Sequence, residues 1–127
     1  MPISKDFEAR LTRSLKGIAE HFGTPFHLYD EQGIRDTGTG LIRAFADIPG
    51  FKEYFAVKAL PNPHILQIMQ SMGFGFDCSS ITELRLSRNL GATGEQIMFT
   101  SNDTSQADFT AAAAEGGCVL NLDDISL

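Results

Sequence analysis

The sequence has few basic residues, few cysteines and no long apolar run. Ten lysine and arginine residues stand against sixteen acidic ones, which gives a formal net charge of −6. No basic stripe is therefore available to neutralise phosphates. Apolar stretches such as Cys118–Leu120 are far shorter than the roughly 18 residues that a membrane-spanning helix needs. We therefore expect neither nucleic acid nor a membrane surface as a partner.

Cysteine is also scarce, since Cys78 and Cys118 are the only two. Neither has a second cysteine or histidine at ligand spacing, so neither a metal site nor a disulfide framework is indicated. We interpret both as reduced, mostly buried thiols. The first ten residues carry charges and lack the apolar segment of a signal peptide, which makes the cytoplasm the expected location.

What the sequence does have is the composition of a globular protein, with 127 residues that are 43% hydrophobic and 20% charged. Apolar residues spaced three and four apart predict a helix that begins at Ser4 and ends at Gly23. A short strand is expected at Thr24–Tyr29. Asp30 can then cap a second helix, which we expect to end at Pro49–Gly50.

From residue 51 onward the pattern is regular. Strand-like runs start about every 22 residues and are separated by helix-length stretches, of which the first two have clear caps, at Asn62 and at Ser80. Such alternation predicts an α/β fold with parallel strands, because a parallel neighbour is reached only by a crossover connection. The four predicted strands are Glu53–Val57, Phe74–Cys78, Gln96–Thr100 and Cys118–Leu122.

Polar residues follow each predicted strand, where functional groups of parallel α/β proteins gather. They are Lys58, then Asp77 with Ser79–Ser80, then Ser101–Asp103, and finally Asp123–Asp124. Lys58 is the unusual one, because it follows an apolar run directly. Although most lysines are surface charges, an amine held near apolar surroundings can lose its proton and attack a carbonyl group.

Two adjacent segments carry a family resemblance. Residues 55–73, which begin Phe-Ala-Val-Lys-Ala-Leu, resemble the pyridoxal-phosphate attachment pattern of the ornithine and diaminopimelate decarboxylases. Residues 73–84 resemble the second-strand segment of the same family, with its G-x-D-x-x-S-x-x-E-L spacing. Weaker similarity at residues 24–30 and 121–124 extends the resemblance over most of the chain.

The resemblance implies a fold-type III pyridoxal-phosphate enzyme, with an eight-stranded α/β barrel followed by a β-domain. A complete barrel takes about 250 residues, so we expect residues 1–127 to be the N-terminal part of an alanine-racemase-like barrel domain. Residues 1–50 would hold the leading helices and the first short strand, and residues 51–127 would hold barrel strands 1–4. The C-terminal half of the barrel and the β-domain would be absent from such a fragment.

By the same resemblance, Lys58 forms a Schiff base with pyridoxal phosphate, and Asp77, Ser80 and Glu83 line the cofactor pocket. An unpaired carboxylate in an apolar strand is costly, which favours a functional or paired role for Asp77. Glu83 stands three residues after Ser80 and could equally complete a capping box. Asn102 and Asp103 are given no site role, because many relatives have a lysine soon after the third strand. His27 and His64 are expected to be structural or exposed.

The implied reaction is the decarboxylation of a basic amino acid by a protein that is a homodimer in its intact form. Diaminopimelate, ornithine, lysine and an N-carboxyalkylated polyamine all remain open as substrates. Two alternatives also remain open. One is a pyridoxal-phosphate-dependent racemase of the same fold, and the other is a non-catalytic half-barrel assembly module, whose unpaired strand edges would seek partners.

Overall fold

The computed structural model describes residues 3–100, 102, 104–122 and 124. The helices are α1 (Lys5–Phe22), α2 (Glu31–Ala44), α3 (Pro63–Ser71), α4 (Ile81–Asn89) and α5 (Gln106–Ala113). The strands are β1 (Tyr54–Ala56), β2 (Gly75–Cys78), β3 (Gly94–Thr100) and β4 (Cys118–Asn121). They form one sheet in the order β1-β2-β3-β4, and every neighbouring pair is parallel. The predicted α/β class with parallel strands is confirmed.

The chain divides into two compact units, residues 1–37 and residues 38–127. In the first unit, the Ser4 hydroxyl accepts a hydrogen bond from the Phe7 backbone N–H at 3.2 Å and so caps α1. The helix ends at Gly23, whose φ of 75° lies in the left-handed region that favours glycine. Both predicted ends of this helix are confirmed.

The predicted strand at Thr24–Tyr29 is wrong. This segment pairs with no strand among the residues that the structure describes. A strand is stabilised by backbone hydrogen bonds to a neighbour, and local sequence cannot supply that neighbour. Asp30, predicted to cap α2, accepts two hydrogen bonds of 2.6 Å from the Arg10 guanidinium.

The predicted ends of α2 and of the strands differ from the observed ones by a few residues. Helix α2 ends at Ala44 instead of Pro49–Gly50, because the backbone N–H groups of Ala46 and Ile48 bond three residues back in successive tight turns. None of the helices within the described part of the chain is both long and apolar enough to cross a membrane.

In the second unit, one face of the sheet packs against the helices. Successive strand residues point to opposite sides of a sheet, and here Phe76 and Cys78 of β2 and Ile97 and Phe99 of β3 are buried on the same side. Residues from α3, α4 and α5 complete this core. The cluster of buried residues is Val57, Leu66, Phe76, Cys78, Leu84, Ala92, Ile97, Phe99 and Ala112.

The strand register identifies the residues on the opposite side, which we call the second face of the sheet. Asp77 of β2 lies beside Ala56 of β1 and Met98 of β3, and Thr100 of β3 lies beside Asn121 of β4. The second face consists of Tyr54, Ala56, Gly75, Asp77, Met98, Thr100, Val119 and Asn121. Its polar members are concentrated towards the carboxyl ends of the strands.

At the amino end of the second face, Tyr54 crosses over β2 and reaches β3. Its hydroxyl donates a hydrogen bond of 2.7 Å to the Glu95 carbonyl oxygen, and Lys52 Nζ donates one of 2.6 Å to the same oxygen. The crossing is possible because residue 75 is glycine. A Cβ atom there would stand 2.6 Å from two carbons of the Tyr54 ring and 2.9 Å from the Gln96 carbonyl oxygen.

We therefore expect Gly75→Ala to lower the free energy of unfolding by about 1–3 kcal/mol, the usual cost of overpacking a well-packed site. Gly40→Ala is the matched control, because a Cβ at Gly40 in α2 meets nothing within 4 Å. Alanine in a helix interior is favoured over glycine by roughly 0.5–1 kcal/mol, so the control should gain stability. Urea unfolding of the wild type and both variants measures these free energies. A Gly75→Ala variant as stable as the wild type would refute the crossing of Tyr54 over Gly75.

Candidate active site

Lys58 lies at the carboxyl end of β1. The strand passes directly into a single 3₁₀ turn, Val57–Ala59, in which Val57 is fully buried and Lys58 is exposed. The buried valine anchors the turn in the core, and the lysine side chain is left at the edge of the sheet. Among the described residues, no hydrogen-bond or ion-pair partner is found for its ammonium group.

Asp77 lies on β2, the strand next to β1, in the middle of the second face. Its backbone lies beside that of Ala56, two residues before Lys58. Its neighbours in the register, Ala56 and Met98, have no polar side-chain atom that can donate a hydrogen bond. One of its carboxylate oxygens, Oδ1, is buried and has no hydrogen-bond partner within the described residues. A buried carboxylate oxygen without a donor is rare in folded proteins and needs an explanation.

Ser80 and Glu83 form the cap of α4 that their spacing indicates. The Ser80 hydroxyl accepts a hydrogen bond from the Glu83 backbone N–H at 3.3 Å and donates one of 3.0 Å to Glu83 Oε1. The other carboxylate oxygen, Oε2, accepts a hydrogen bond of 2.8 Å from the Ser79 backbone N–H. Both oxygens of Glu83 therefore hold the connection between β2 and α4 in place.

The two cysteines are free thiols, as the sequence analysis expects. Burial raises the pKa of the Cys78 thiol to about 11, against the opposing effect of a hydrogen-bond contact with the Ser87 hydroxyl. The carboxylates of Glu83 and Asp77 contribute smaller increases. Burial also raises the pKa of the half-buried Cys118. Cys78 is a core residue on the helix side of β2 and stays protonated near neutral pH.

Thr100 and Asn121 are two residues of this edge to which the sequence analysis gives no role. The Asn121 side-chain Nδ2 donates a hydrogen bond of 3.3 Å to Thr100 Oγ1. Their common signal in the sequence is that each is the last polar residue of its strand, but the pairing itself depends on the register of β3 and β4. Only the tertiary structure brings them together.

The remaining polar residues of the strand ends contribute less. Asn102 is exposed, and Ser101, Asp103 and Asp123 lie outside the described residues. His27 and His64 are exposed, which agrees with the expectation for them. Within the described ranges, no group of three or more histidine, cysteine, aspartate or glutamate side chains is arranged to hold a metal ion.

Proteins of known sequence and structure resemble this chain along most of its length. Protein TabA of Pseudomonas amygdali pv. tabaci is 46% identical over 127 residues, which are 100% of this chain and 30% of TabA. Diaminopimelate decarboxylase of Deinococcus radiodurans is 34% identical over 107 residues, which are 84% of this chain and 27% of the enzyme. The chain thus spans about 30% or less of the length of these relatives.

The solved structures give the same result for the fold. The lysine/ornithine decarboxylase of Vibrio vulnificus, in complex with cadaverine, superposes with a TM-score of 0.81 at 25% identity over 98% of this chain and 32% of that enzyme. The predicted relation to the α/β barrel of the pyridoxal-phosphate-dependent decarboxylases is confirmed.

The family model for the pyridoxal-binding domain of pyridoxal-dependent decarboxylases matches residues 40–126. This range contains the whole sheet, together with Lys58, Asp77 and the cap of α4. The family's cofactor is pyridoxal phosphate, as the resemblance at Lys58 implies. The chain therefore belongs to the pyridoxal-dependent decarboxylase family.

Proposed function

We propose that Lys58 is the residue that binds pyridoxal phosphate covalently in an amino-acid decarboxylase. The observation that carries this proposal is the position of Lys58 directly after β1, at the carboxyl edge of a parallel sheet and without a partner in the described residues. Active sites of parallel α/β barrels are found at this edge. No other lysine or arginine stands in the described parts of the connections that follow the four strands.

The residues near Lys58 fit a ligand that carries a positive charge close to the lysine nitrogen. The buried Asp77 Oδ1 has no donor among the described residues, and Asp77 lies on β2, which pairs directly with the strand that leads to Lys58. A cationic or N–H-bearing group in this position would satisfy the oxygen and remove the cost of leaving it unpaired. We propose that Asp77 holds such a group of the bound cofactor.

The chemistry of Lys58 follows from its amine. Lys58 would hold the cofactor through this amine, because an unprotonated amine can condense with an aldehyde to a Schiff base, with the aldehyde oxygen lost as water. When bound, pyridoxal phosphate supplies an electron sink for the electron pair that remains when carbon dioxide leaves an amino acid. The protein has to hold the reacting bond in the correct orientation, which a lysine at the end of a rigid strand favours.

Ser80 and Glu83 are included in the proposed pocket as residues that shape it. Their observed hydrogen bonds are those of a helix cap, and both Glu83 oxygens are engaged in it. The cap fixes Ser79 and Ser80 at the end of β2, beside the strand that leads to Lys58. Their proposed contribution to the cofactor pocket is therefore the geometry of the connection that forms its wall.

For the substrate we propose a basic amino acid of the diaminopimelate, ornithine or lysine class. The named activities of the relatives and of one structural neighbour support this class, and they are diaminopimelate decarboxylase, ornithine decarboxylase and lysine/ornithine decarboxylase. We also propose that residues 1–127 are the N-terminal part of the barrel domain in a longer, homodimeric protein. The small share of each relative that the chain spans supports the first part of this proposal.

Reductive labelling tests the proposed function. The full-length protein is incubated with pyridoxal phosphate, reduced with borohydride and digested, and the label is expected on the peptide that contains Lys58. Carbon dioxide release from diaminopimelate, ornithine and lysine is measured in parallel, together with loss of optical activity. Racemisation without carbon dioxide would favour the racemase alternative, and a folded protein without label at Lys58 would contradict the proposal.

A further inference from the structure

The second face of the sheet changes from apolar to polar towards the carboxyl ends of β3 and β4. In the row that contains Asp77, its neighbours Ala56, Met98 and Val119 are apolar. Two residues further along β3 and β4 the row is polar, because Thr100 lies beside Asn121. Lys58 stands at the corresponding place after β1, two residues beyond Ala56. In the sheet order, Thr100 on β3 is two strand spacings, roughly 10 Å, from the strand that leads to Lys58, and Asn121 on β4 is three spacings, roughly 14 Å, from it.

The hydrogen bond within the pair leaves donors available. Asn121 Nδ2 donates one hydrogen to Thr100 Oγ1 at 3.3 Å. The Thr100 hydroxyl hydrogen is then free to point to another acceptor, and the amide has a second N–H. Thr100 is partly buried and Asn121 is exposed, so the pair can be reached by a ligand.

We infer that Thr100 and Asn121 form a pair of neutral donors that binds an anionic oxygen of the ligand held at Lys58. This inference rests on the proposed function. Since Lys58 is the only lysine or arginine in the described connections that follow the strands, and its nitrogen would be engaged with the aldehyde carbon, anionic oxygens of the ligand need other donors. The oxygen could belong to the cofactor or to the carboxylate of the amino acid, and binding measurements distinguish the two.

Thr100→Val tests the inference because it removes the hydroxyl and keeps the branched shape of the side chain. Binding of pyridoxal phosphate to the full-length protein is followed by absorbance without amino acid, and KM for the amino acid is measured separately. We expect one of the two constants to rise by about tenfold, the effect of losing one hydrogen bond to a charged acceptor. A change in cofactor affinity assigns the oxygen to the cofactor, and a change in KM alone assigns it to the substrate.

Three further variants complete the experiment. Thr100→Ser should restore the lost affinity, because it returns the hydroxyl. Asn121→Asp should weaken binding by at least as much as Thr100→Val, because a carboxylate repels an anionic oxygen. Thr110→Val is the matched control, since the Thr110 hydroxyl bonds to the Gln106 carbonyl oxygen on α5, away from the second face. The melting temperature of each apoprotein separates loss of a ligand contact from loss of the fold.

Unchanged binding constants in both Thr100→Val and Asn121→Asp would overturn the inference, as would failure of Thr100→Ser to restore affinity. If Thr100→Val does not fold, Asn121→Asp decides the question by the same two constants. A wild-type protein that carries no label at Lys58 refutes the proposed function, and this inference with it. If Lys58 is labelled and the variants keep the binding constants of the wild type, only this inference is refuted.

Discussion

Lys58→Ala in the full-length protein should abolish the covalent attachment of pyridoxal phosphate and reduce decarboxylation to the background rate. The reason is chemical, because alanine has no amine and no other lysine or arginine stands in the described connections that follow the strands to replace it. The measurements are the visible absorbance of the bound cofactor, mass spectrometry after borohydride reduction, and carbon dioxide release. Of all single changes in the chain, this one should have the largest effect on function.

Lys5→Ala serves as the matched control, because Lys5 is exposed in the first turn of α1. It should keep the label and the activity of the wild type. Cofactor bound to another lysine in the Lys58 variant would show that Lys58 is not the attachment residue. In the 127-residue chain alone, we expect weak labelling of Lys58 with little preference over Lys16 and Lys52. Strong and selective labelling there would show that these residues suffice to hold the cofactor.

Phe76→Ala should cause the largest loss of stability. Phe76 is fully buried, with 0% of its surface exposed, and it stands between Phe55 of β1 and Ile97 of β3 at the centre of the sheet. Removing a buried phenylalanine ring costs about 3–5 kcal/mol, because apolar contacts are lost and a cavity remains. Since small domains are stable by only about 5–15 kcal/mol, the variant should unfold at a much lower urea concentration.

Phe22→Ala is the comparison for this change, because the Phe22 side chain is 72% exposed at the end of α1. Its free energy of unfolding should stay within about 0.5 kcal/mol of the wild type, as for most surface substitutions. Circular dichroism in increasing urea gives both values. A loss below about 1 kcal/mol in Phe76→Ala would contradict the position of this residue in the core.

The helix ends could be predicted because caps are local. Asn62 accepts hydrogen bonds from the His64 and Ile65 backbone N–H groups, and Ser80 accepts one from Glu83, as their spacing indicates. These interactions join residues two or three positions apart, so the sequence contains all the atoms involved. The same holds for the spacing of the four strands, which follows from alternating apolar runs and turn residues.

The sequence left the role of Glu83 undecided. Its position three residues after Ser80 is compatible with a helix cap and with the cofactor pocket. In the structure, the Ser79 backbone N–H and the Ser80 hydroxyl each donate a hydrogen bond to Glu83, which accounts for both carboxylate oxygens. For Asp77 the outcome is the opposite, because its buried Oδ1 has no donor in the described residues. Two acidic residues of the same motif thus have different surroundings, and no local pattern distinguishes them.

By itself, the sequence determined the α/β class, the succession of the strands along the chain, the helix caps at Asn62 and Ser80, and the position of Lys58 after β1. These features depend on residues that are close in the chain. Only the tertiary structure decided which residues share a row on the second face of the sheet. The crossing of Tyr54 over Gly75 and the pairing of Thr100 with Asn121 join residues about 21 positions apart, and they depend on strand register. Register is set by the packing of whole strands and helices, and a shift of one residue would turn every side chain to the other face.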